Sequence, residues 1–194
     1  MSAPKTSTAD FFEAKYKSAP DADPWKFATA AYELERYDAV LKALSGRRYT
    51  HAFEPGCSVG VLTERLATIA DRVDASDFSP TAVAAASARC AHLPGVSVRC
   101  ATLDTNQPWA DFDLVVICEI GYYFSPETWA EMVESMVLGM HPGSILLASH
   151  WLGTSNDHVQ SGDAVHDAIV NPLLQRTLSE RHEGFRLERW IRTA

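Results

Sequence analysis

Cysteine is scarce: Cys57, Cys90, Cys100 and Cys118 are the only four in 194 residues, with no C-x-x-C pair and no Cys/His spacing of the kind a zinc site needs. That excludes a zinc-stapled module and predicts four buried, reduced thiols and no metal. Long apolar runs are absent too. No stretch of about 18 apolar residues occurs, which argues against a membrane-spanning helix. The opening "MSAPKTSTADFFEAKYKSAPDADP" lacks the apolar core of a secretory signal, so a cytoplasmic location is expected. Basic charge is in deficit, with 17 Lys and Arg against 25 Asp and Glu and a formal net charge of -8. Nucleic-acid binding draws its affinity mainly from Lys and Arg neutralising phosphates, so a nucleic-acid partner is not expected. There are no internal repeats. What is present is ordinary for a globule: 46% hydrophobic and 22% charged residues, enough for one α/β domain with a sizeable core.

Residues 1–24 are rich in Ser, Ala, Pro and Asp around a short aromatic patch of Phe11, Phe12 and Tyr16, and are expected to be partly mobile. Residues 25–194 read as a single domain. In "PWKFATAAYELERYDAVLKAL" the apolar residues Phe27, Ala31, Leu34, Tyr37, Leu41 and Leu44 recur at helical spacing, and Gly46 supplies a stop. Strands and helices then alternate. "YTHAFEP", "DRVDASD", "GVSVRCATL", "DFDLVVICE" and "GSILLASHW" read as strands. "VGVLTERLATIA", "SPTAVAAASARCA" and "SPETWAEMVESMVLGM" read as helices, the last two opened by a Ser-Pro N-cap. A helical region is expected from about Asp163, broken at Asn171 and Pro172, and "FRLERWIR" closes the chain as an alternating strand. Regular alternation predicts right-handed βαβ units and a mostly parallel sheet.

The stretch "EPGCSVG", residues 54–60, can be read two ways. "GCSVG" fits the G-x-S-x-G elbow of a serine hydrolase, which would make Ser58 a nucleophile. Such an enzyme needs several strands and an oxyanion loop upstream of its serine, and here only a helix precedes. A cofactor loop instead demands an acid at the end of the next strand to hold a ribose, and Asp77 stands there, 21 positions after Gly56. Glu54 precedes the loop, where a carboxylate can fix the loop's amides or meet a cationic amino group. NAD would call for a third glycine where Val61 stands. The E-x-G-x-(G)-x-G spacing fits the loop of S-adenosylmethionine (SAM) methyltransferases, with Ser58 replacing the middle glycine.

Beyond the loop, "DPWKFATAAYELERYDAVLKAL", "FEPGCSVGVLTERLA", "FDLVVICEIGYYF", "SHWLG" and "SGDAVHDAI", in that order, resemble the nodulation N-methyltransferase (NodS-like) branch of the class I SAM-dependent methyltransferases over residues 20–192. The resemblance implies a Rossmann-like class I methyltransferase fold: an α/β three-layer sandwich with a mostly parallel sheet and an N-terminal helical cap. It also implies SAM as methyl donor and, in the named members, methylation of an amino-sugar nitrogen on an oligosaccharide. Carried over, it makes Trp25 and Arg36 contacts to the methionine end of SAM. Gly56, Cys57, Ser58 and Gly60 then line its path, Asp77 binds the ribose, Phe78 flanks the adenine, and Thr102 and Leu103 lie where adenine is recognised. Only one clear strand follows "GSILLASHW", so the sheet has six strands unless a terminal strand has been lost or comes from a partner chain. Leu152 stands where the branch pattern would have an arginine.

Ligands in an open parallel sheet sit at the carboxyl ends of the strands. "CEIGYY" and "SHW" end two of them. Glu119 is expected to orient or deprotonate an acceptor amine between the walls of Tyr122 and Tyr123, with His150 and Trp151 opposite and His166 on the next helix. Cys118 would touch the cofactor or be inert core. Trp109, Trp129 and Trp190 read as packing. The expected activity is methyl transfer, at nitrogen, to a small-molecule or oligosaccharide amine. The rivals are a SAM-binding regulatory protein without turnover and an NAD-dependent oxidoreductase.

Overall fold

The computed structural model describes residues 9–194. Their contacts gather into two compact units, Ala9–Leu103 and Asp104–Ala194. Part of the segment expected to be mobile, residues 1–8, lies outside the described residues.

The first unit runs α1 (Ala9–Ser18), α2 (Ala31–Ala43), β1 (Tyr49–Pro55), α3 (Val61–Leu66), β2 (Ala70–Asp77), α4 (Pro80–Cys90) and β3 (Val96–Cys100). β2 lies between β1 and β3 and is parallel to both, which places the carboxyl ends of β1 and β2 side by side: Glu54 pairs with Ala75 and Pro55 with Ser76. Small residues decide how closely the next layer approaches. Ala82 and Ala86 of α4 are fully buried, and a Cβ built on Gly60 would come within 2.9 Å of the Ala86 Cβ. Gly60 also has φ +78, so a side chain there is refused on both counts. Ser79 caps α4 by accepting the Ala82 N–H at 3.0 Å, with Pro80 behind it as the Ser-Pro pattern predicts.

Helix α2 starts at Ala31 rather than near Pro24. Asp23 intervenes, its two carboxylate oxygens accepting the Phe27 and Ala28 N–H groups at 2.9 Å each, which fixes a turn where helical periodicity alone suggested a longer helix. The buried face of α2 is Arg36, Tyr37, Val40 and Ala43, with Leu44 at its end. Leu34 and Leu41, assigned to the core by spacing, are half-buried.

The second unit runs a 3-10 turn at Trp109–Asp111, β4 (Leu114–Cys118), another 3-10 turn at Gly121–Tyr123, α5 (Pro126–Gly139), β5 (Ile145–Trp151), α6 (Gly162–Asp167), β6 (Leu174–Arg181) and β7 (Phe185–Arg192). β4 and β5 are parallel; β7 pairs antiparallel with β5 on one side and with β6 on the other. The described strands thus number seven, which corrects the count of six. The strand overlooked is β6, whose residues Gln175, Arg176 and Thr177 are all exposed and carry no apolar alternation. The helical region expected from Asp163 shrinks to one short helix that ends before Asn171.

All four cysteines are free, but Cys100 is exposed at the end of β3, against the expectation that all are buried. Trp129 of α5 is fully buried, and its indole N–H donates to the Val165 carbonyl at 2.9 Å, pinning α6 onto α5. Replacing Trp129 with Phe strands that carbonyl and leaves part of the indole volume empty. A loss of about 1–3 kcal/mol is expected, read as a lower guanidinium unfolding midpoint with the slope unchanged.

Candidate functional site

In the first unit the loop after β1 is a tight left-handed turn. Gly56, Ser58 and Gly60 have φ of 71, 49 and 78. For Ser58 this costs on the order of 1 kcal/mol or more, so something must hold it there. The holder is Asp77, at the carboxyl end of β2. Its Oδ2 accepts the Ser58 N–H at 3.0 Å and its Oδ1 accepts the Ser79 N–H at 2.9 Å. The same carboxylate ties the loop to the start of α4. The Gly56 and Cys57 N–H groups both donate to the Ser76 carbonyl, at 2.6 and 2.9 Å. Loop amides are therefore fixed by β2, and Glu54 is engaged elsewhere: its Oε2 accepts the Thr63 hydroxyl at 2.6 Å.

Burial dominates the titration of both acids. Glu54 is pushed up to about 8, chiefly by desolvation and further by the Asp77 charge, against the pull of Thr63 and Arg36. Asp77 is also raised by burial, which its hydrogen bonds from Ser79, Ser58 and Tyr16 only partly offset. The Ser58 hydroxyl is buried and has no hydrogen-bond partner. A hydrolase nucleophile needs a base on that oxygen, so the elbow reading falls. Cys57 turns its thiol into a cluster with Ala75 and Ala86, where burial raises it well above the ordinary value. Its Sγ also lies 3.8 Å from the Ser58 carbonyl oxygen.

Of the other cofactor residues predicted in this unit, Trp25 and Phe78 pack against α1; α1 itself adds two polar contacts that the sequence reading did not foresee. Tyr16 points its hydroxyl at Asp77 Oδ2, at 3.5 Å. Glu13 accepts hydrogen bonds from the hydroxyls of Ser79 and Thr81, which hold its carboxyl down at about 2. Phe12 lies edge-on to Phe78 at 5.6 Å, and Trp25 packs on Phe12, Tyr16 and Phe27. Arg36 is buried rather than solvated and pairs with Glu33. Thr102, exposed, and Leu103, half-buried, follow β3.

In the second unit β4 ends in buried Cys118, and Glu119 follows with φ +60, a second strained position. Its carboxylate is fixed from two sides, Oε1 accepting the Trp151 N–H at 2.8 Å and Oε2 the Tyr122 hydroxyl at 2.6 Å. Tyr123 packs edge-on to Tyr122 at 4.8 Å. Burial, with the charges of Asp157 and Glu119, pushes the Tyr123 phenol well up.

His150 and His166 do meet, as part of a chain that sequence reading did not foresee. The Gly121 N–H donates to His150 Nε2 at 3.0 Å, so that nitrogen is unprotonated and the proton sits on Nδ1. His150 Nδ1 then faces His166 Nε2 at 3.2 Å, and His166 Nδ1 faces Glu188 Oε2 at 2.8 Å. One proton arrangement satisfies every link, with both rings neutral. All three side chains are buried. Glu188 is further bonded to Ser179, Arg176 and Arg186. Burial would raise its carboxyl, but the bonds from His166, Ser179 and Arg186 outweigh it and hold the group at about 2. No residue-type pattern marks Glu188 in "FRLERWIR" beyond a charge on the core face of an alternating strand. A second residue missed is His158, whose ring stacks on Tyr122 at 3.7 Å with the edges of Tyr123 and Trp151 against it. Among the described residues no cluster of three His, Cys, Asp or Glu is arranged to hold a metal ion, and no helix is long and apolar enough to cross a membrane.

Parallel strands, a glycine turn and an acid at the next strand end define a Rossmann-like α/β protein. A model of the Nodulation protein S (NodS) family matches residues 9–175, and the chain belongs to that family. Nodulation protein S of Bradyrhizobium diazoefficiens is 28% identical over 163 residues, covering 81% of this chain and 76% of the relative. The match to its Sinorhizobium fredii counterpart is 34% identical but covers 52% of this chain and 47% of the relative. Among solved structures, the N-methyltransferase NodS from Bradyrhizobium japonicum WM9 in complex with S-adenosyl-l-homocysteine (SAH) is 22% identical. It covers 96% of this chain and 98% of its own, with a TM-score of 0.80. A methyltransferase structure from Pseudomonas syringae, named as putative, is 31% identical, covers 84% of this chain and 100% of its own, and has a TM-score of 0.72.

Burial pushes His166 down from its ordinary value, which the Glu188 hydrogen bond opposes only in part. The unfolded chain therefore binds the proton more readily, and folding stability falls as pH drops below about 6.5. Thermal melts from pH 8 to pH 5 are expected to show this loss. In His166→Gln the melting temperature at pH 8 should be lower by about 4–8 °C, for about 2 kcal/mol, with a flatter dependence on pH.

Proposed function

We propose that this chain is a SAM-dependent N-methyltransferase acting on a small-molecule amine. The observation that carries the reading is the turn at residues 56–60, clamped to Asp77 and holding an unpartnered, buried Ser58 hydroxyl. A buried polar group without a partner is costly, and a polar ligand in the turn would satisfy it. Membership of the NodS family supports the same cofactor and chemistry. NAD is not favoured, since Val61, where a third glycine would stand, heads α3 with its side chain buried.

When bound, SAM supplies a methyl group activated on a sulfonium. The chain's own residues do the rest. Asp77 keeps lone pairs for ribose hydroxyls beyond the two fixed by backbone N–H groups. The loop amides and Ser58 line the amino-acid end, with Trp25 and Arg36 as contributors there and Phe78, Thr102 and Leu103 on the adenine side. Methyl transfer by in-line displacement needs an uncharged nucleophile about 3 Å from the methyl carbon and little water. An ordinary alkylamine is neutral only roughly one part in a thousand at pH 7, so Glu119 serves to orient the ammonium and favour loss of its proton. Tyr122 and Trp151 hold that carboxylate still. His150 and His166 act through the Gly121 turn as positioning residues. An amino sugar on an oligosaccharide is the acceptor suggested by the family resemblance.

Calorimetric titration of SAH into the wild type and Asp77→Asn, with NAD as control, tests the reading. Micromolar SAH affinity is expected, weakened tenfold or more by the substitution, about 1.4 kcal/mol, with no NAD binding. Folded protein that does not bind SAH would sink the proposal.

A further inference from the structure

Resting on that reading, we infer that Ser58 is a specificity-determining residue for the cofactor: its hydroxyl accepts a hydrogen bond from the α-ammonium of the amino-acid end. All the residues involved lie within the first unit.

Ser58 costs the protein stability in two ways. Its φ of +49 puts an L side chain in left-handed backbone, which glycine adopts without strain. Its side-chain oxygen is buried with no partner in the chain, in a residue only 7% exposed. Native structures rarely leave such a group uncompensated. Glycine at position 58 would remove both costs, and it is the residue that the E-x-G-x-(G)-x-G spacing calls for. A side chain that breaks two local rules at once is accounted for by a partner from outside the chain. The turn stands at the carboxyl ends of β1 and β2, where the ligands of parallel sheets sit.

The rest of the turn decides the charge of that partner. The N–H groups of Gly56 and Cys57 donate to the Ser76 carbonyl, that of Ser58 to Asp77 Oδ2, and that of Gly60 to the Cys57 carbonyl at 2.9 Å. With these amides occupied inside the protein, the turn is not the row of donors that cradles a phosphate or a carboxylate. What surrounds it is acid. Burial, then the charges of Glu54 and Asp77, raise the Cys57 thiol next to Ser58, so both carboxylates act on the turn. Burial lifts Glu54 to about 8, with the Asp77 charge adding to it, and Asp77 is raised by burial too. Acids in this condition lack positive charge nearby. Arg36 is the weakest of the influences on Glu54, and its guanidinium is paired with Glu33.

An ammonium supplies the missing charge and brings N–H donors for a hydroxyl oxygen to accept. A hydroxyl can also donate, and a ligand carboxylate would then be its partner. Beside Asp77 that carboxylate meets like charge. The Ser58 hydroxyl thus lets the turn tell a nucleoside bearing an α-amino acid from one that lacks the ammonium.

The test titrates the full chain calorimetrically with SAH and with desamino-SAH, in which hydrogen replaces the α-ammonium and the carboxylate is kept. Where desamino-SAH is too weak to titrate directly, its affinity is read by displacement of SAH. Wild type, Ser58→Ala and Ser58→Gly are compared, and each is also melted without ligand. Ser58→Ala removes the hydroxyl and keeps the Cβ; Ser58→Gly releases the backbone as well. Both variants are expected to melt no lower than wild type yet to bind SAH tenfold or more weakly, about 1.4 kcal/mol. Desamino-SAH should bind wild type at least tenfold more weakly than SAH does, and the variants within threefold of wild type. SAH affinity within threefold of wild type in the variants overturns the inference, and leaves the hydroxyl to a buried water. An equal loss on both ligands also overturns it, because the hydroxyl then serves the carboxylate or the nucleoside. So do variants that melt lower than wild type, which makes Ser58 a structural residue. Folded wild type that does not bind SAH defeats the proposed function itself, and the inference with it.

Discussion

A carboxylate can leave water only where donors take water's place, and Asp77 satisfies this with the backbone itself. One oxygen receives the N–H of Ser58 and the other that of Ser79. The first contact holds a non-glycine residue in left-handed backbone, and the second fixes the first turn of α4, whose Ala86 in turn restricts what can occupy position 60. Loop, helix start and helix packing thus share one anchor. The N-terminal helix joins the same group through Tyr16 and, one turn earlier, reaches the α4 cap through Glu13.

The second unit solves the same problem with side chains. Glu188 is shut from solvent and surrounded by His166, Ser179, Arg176 and Arg186. The order it imposes passes through two neutral imidazoles to the Gly121 N–H, two residues from the strained Glu119. Buried chains of this kind are costly when incomplete and specifying when complete. Gly121 itself has no room for a side chain, since an added Cβ would come within 2.4 Å of Val165 and 3.0 Å of His150. Glu119, two places earlier, is held by its own carboxylate on the Trp151 N–H and the Tyr122 hydroxyl.

Reading from residue pattern went furthest where a local rule has a local cause. Ser79–Pro80 and Ser125–Pro126 open helices as capping chemistry requires, and the apolar runs of β4 and β5 are strands because both faces are buried. The Gly56–Asp77 spacing follows from one βαβ step, and the contact between loop and acid is as close as that spacing suggests. What escaped were effects of partners distant in sequence. Asp23 displaced the start of α2 with two hydrogen bonds. Glu188 became a buried hub only because α6 brings His166 over β7. His158 looked like a loop residue, since its ring neighbours lie on a turn more than thirty positions earlier and at the end of β5.

Strand β6 shows what such concealment is for. It ends the order β4-β5-β7-β6, so among the described residues one row of its backbone donors and acceptors has no strand beyond it. A flat apolar strand in that place would invite a strand from another molecule to add on. Here the sequence is Leu-Gln-Arg-Thr-Leu-Ser-Glu-Arg, charged and polar at most positions, with a register irregularity between Arg176 and Leu178. The features that make the segment resemble a loop in sequence also make it a poor template for edge-to-edge growth. Colloidal safety in this molecule is written into the very strand that hydrophobic patterning is least able to see.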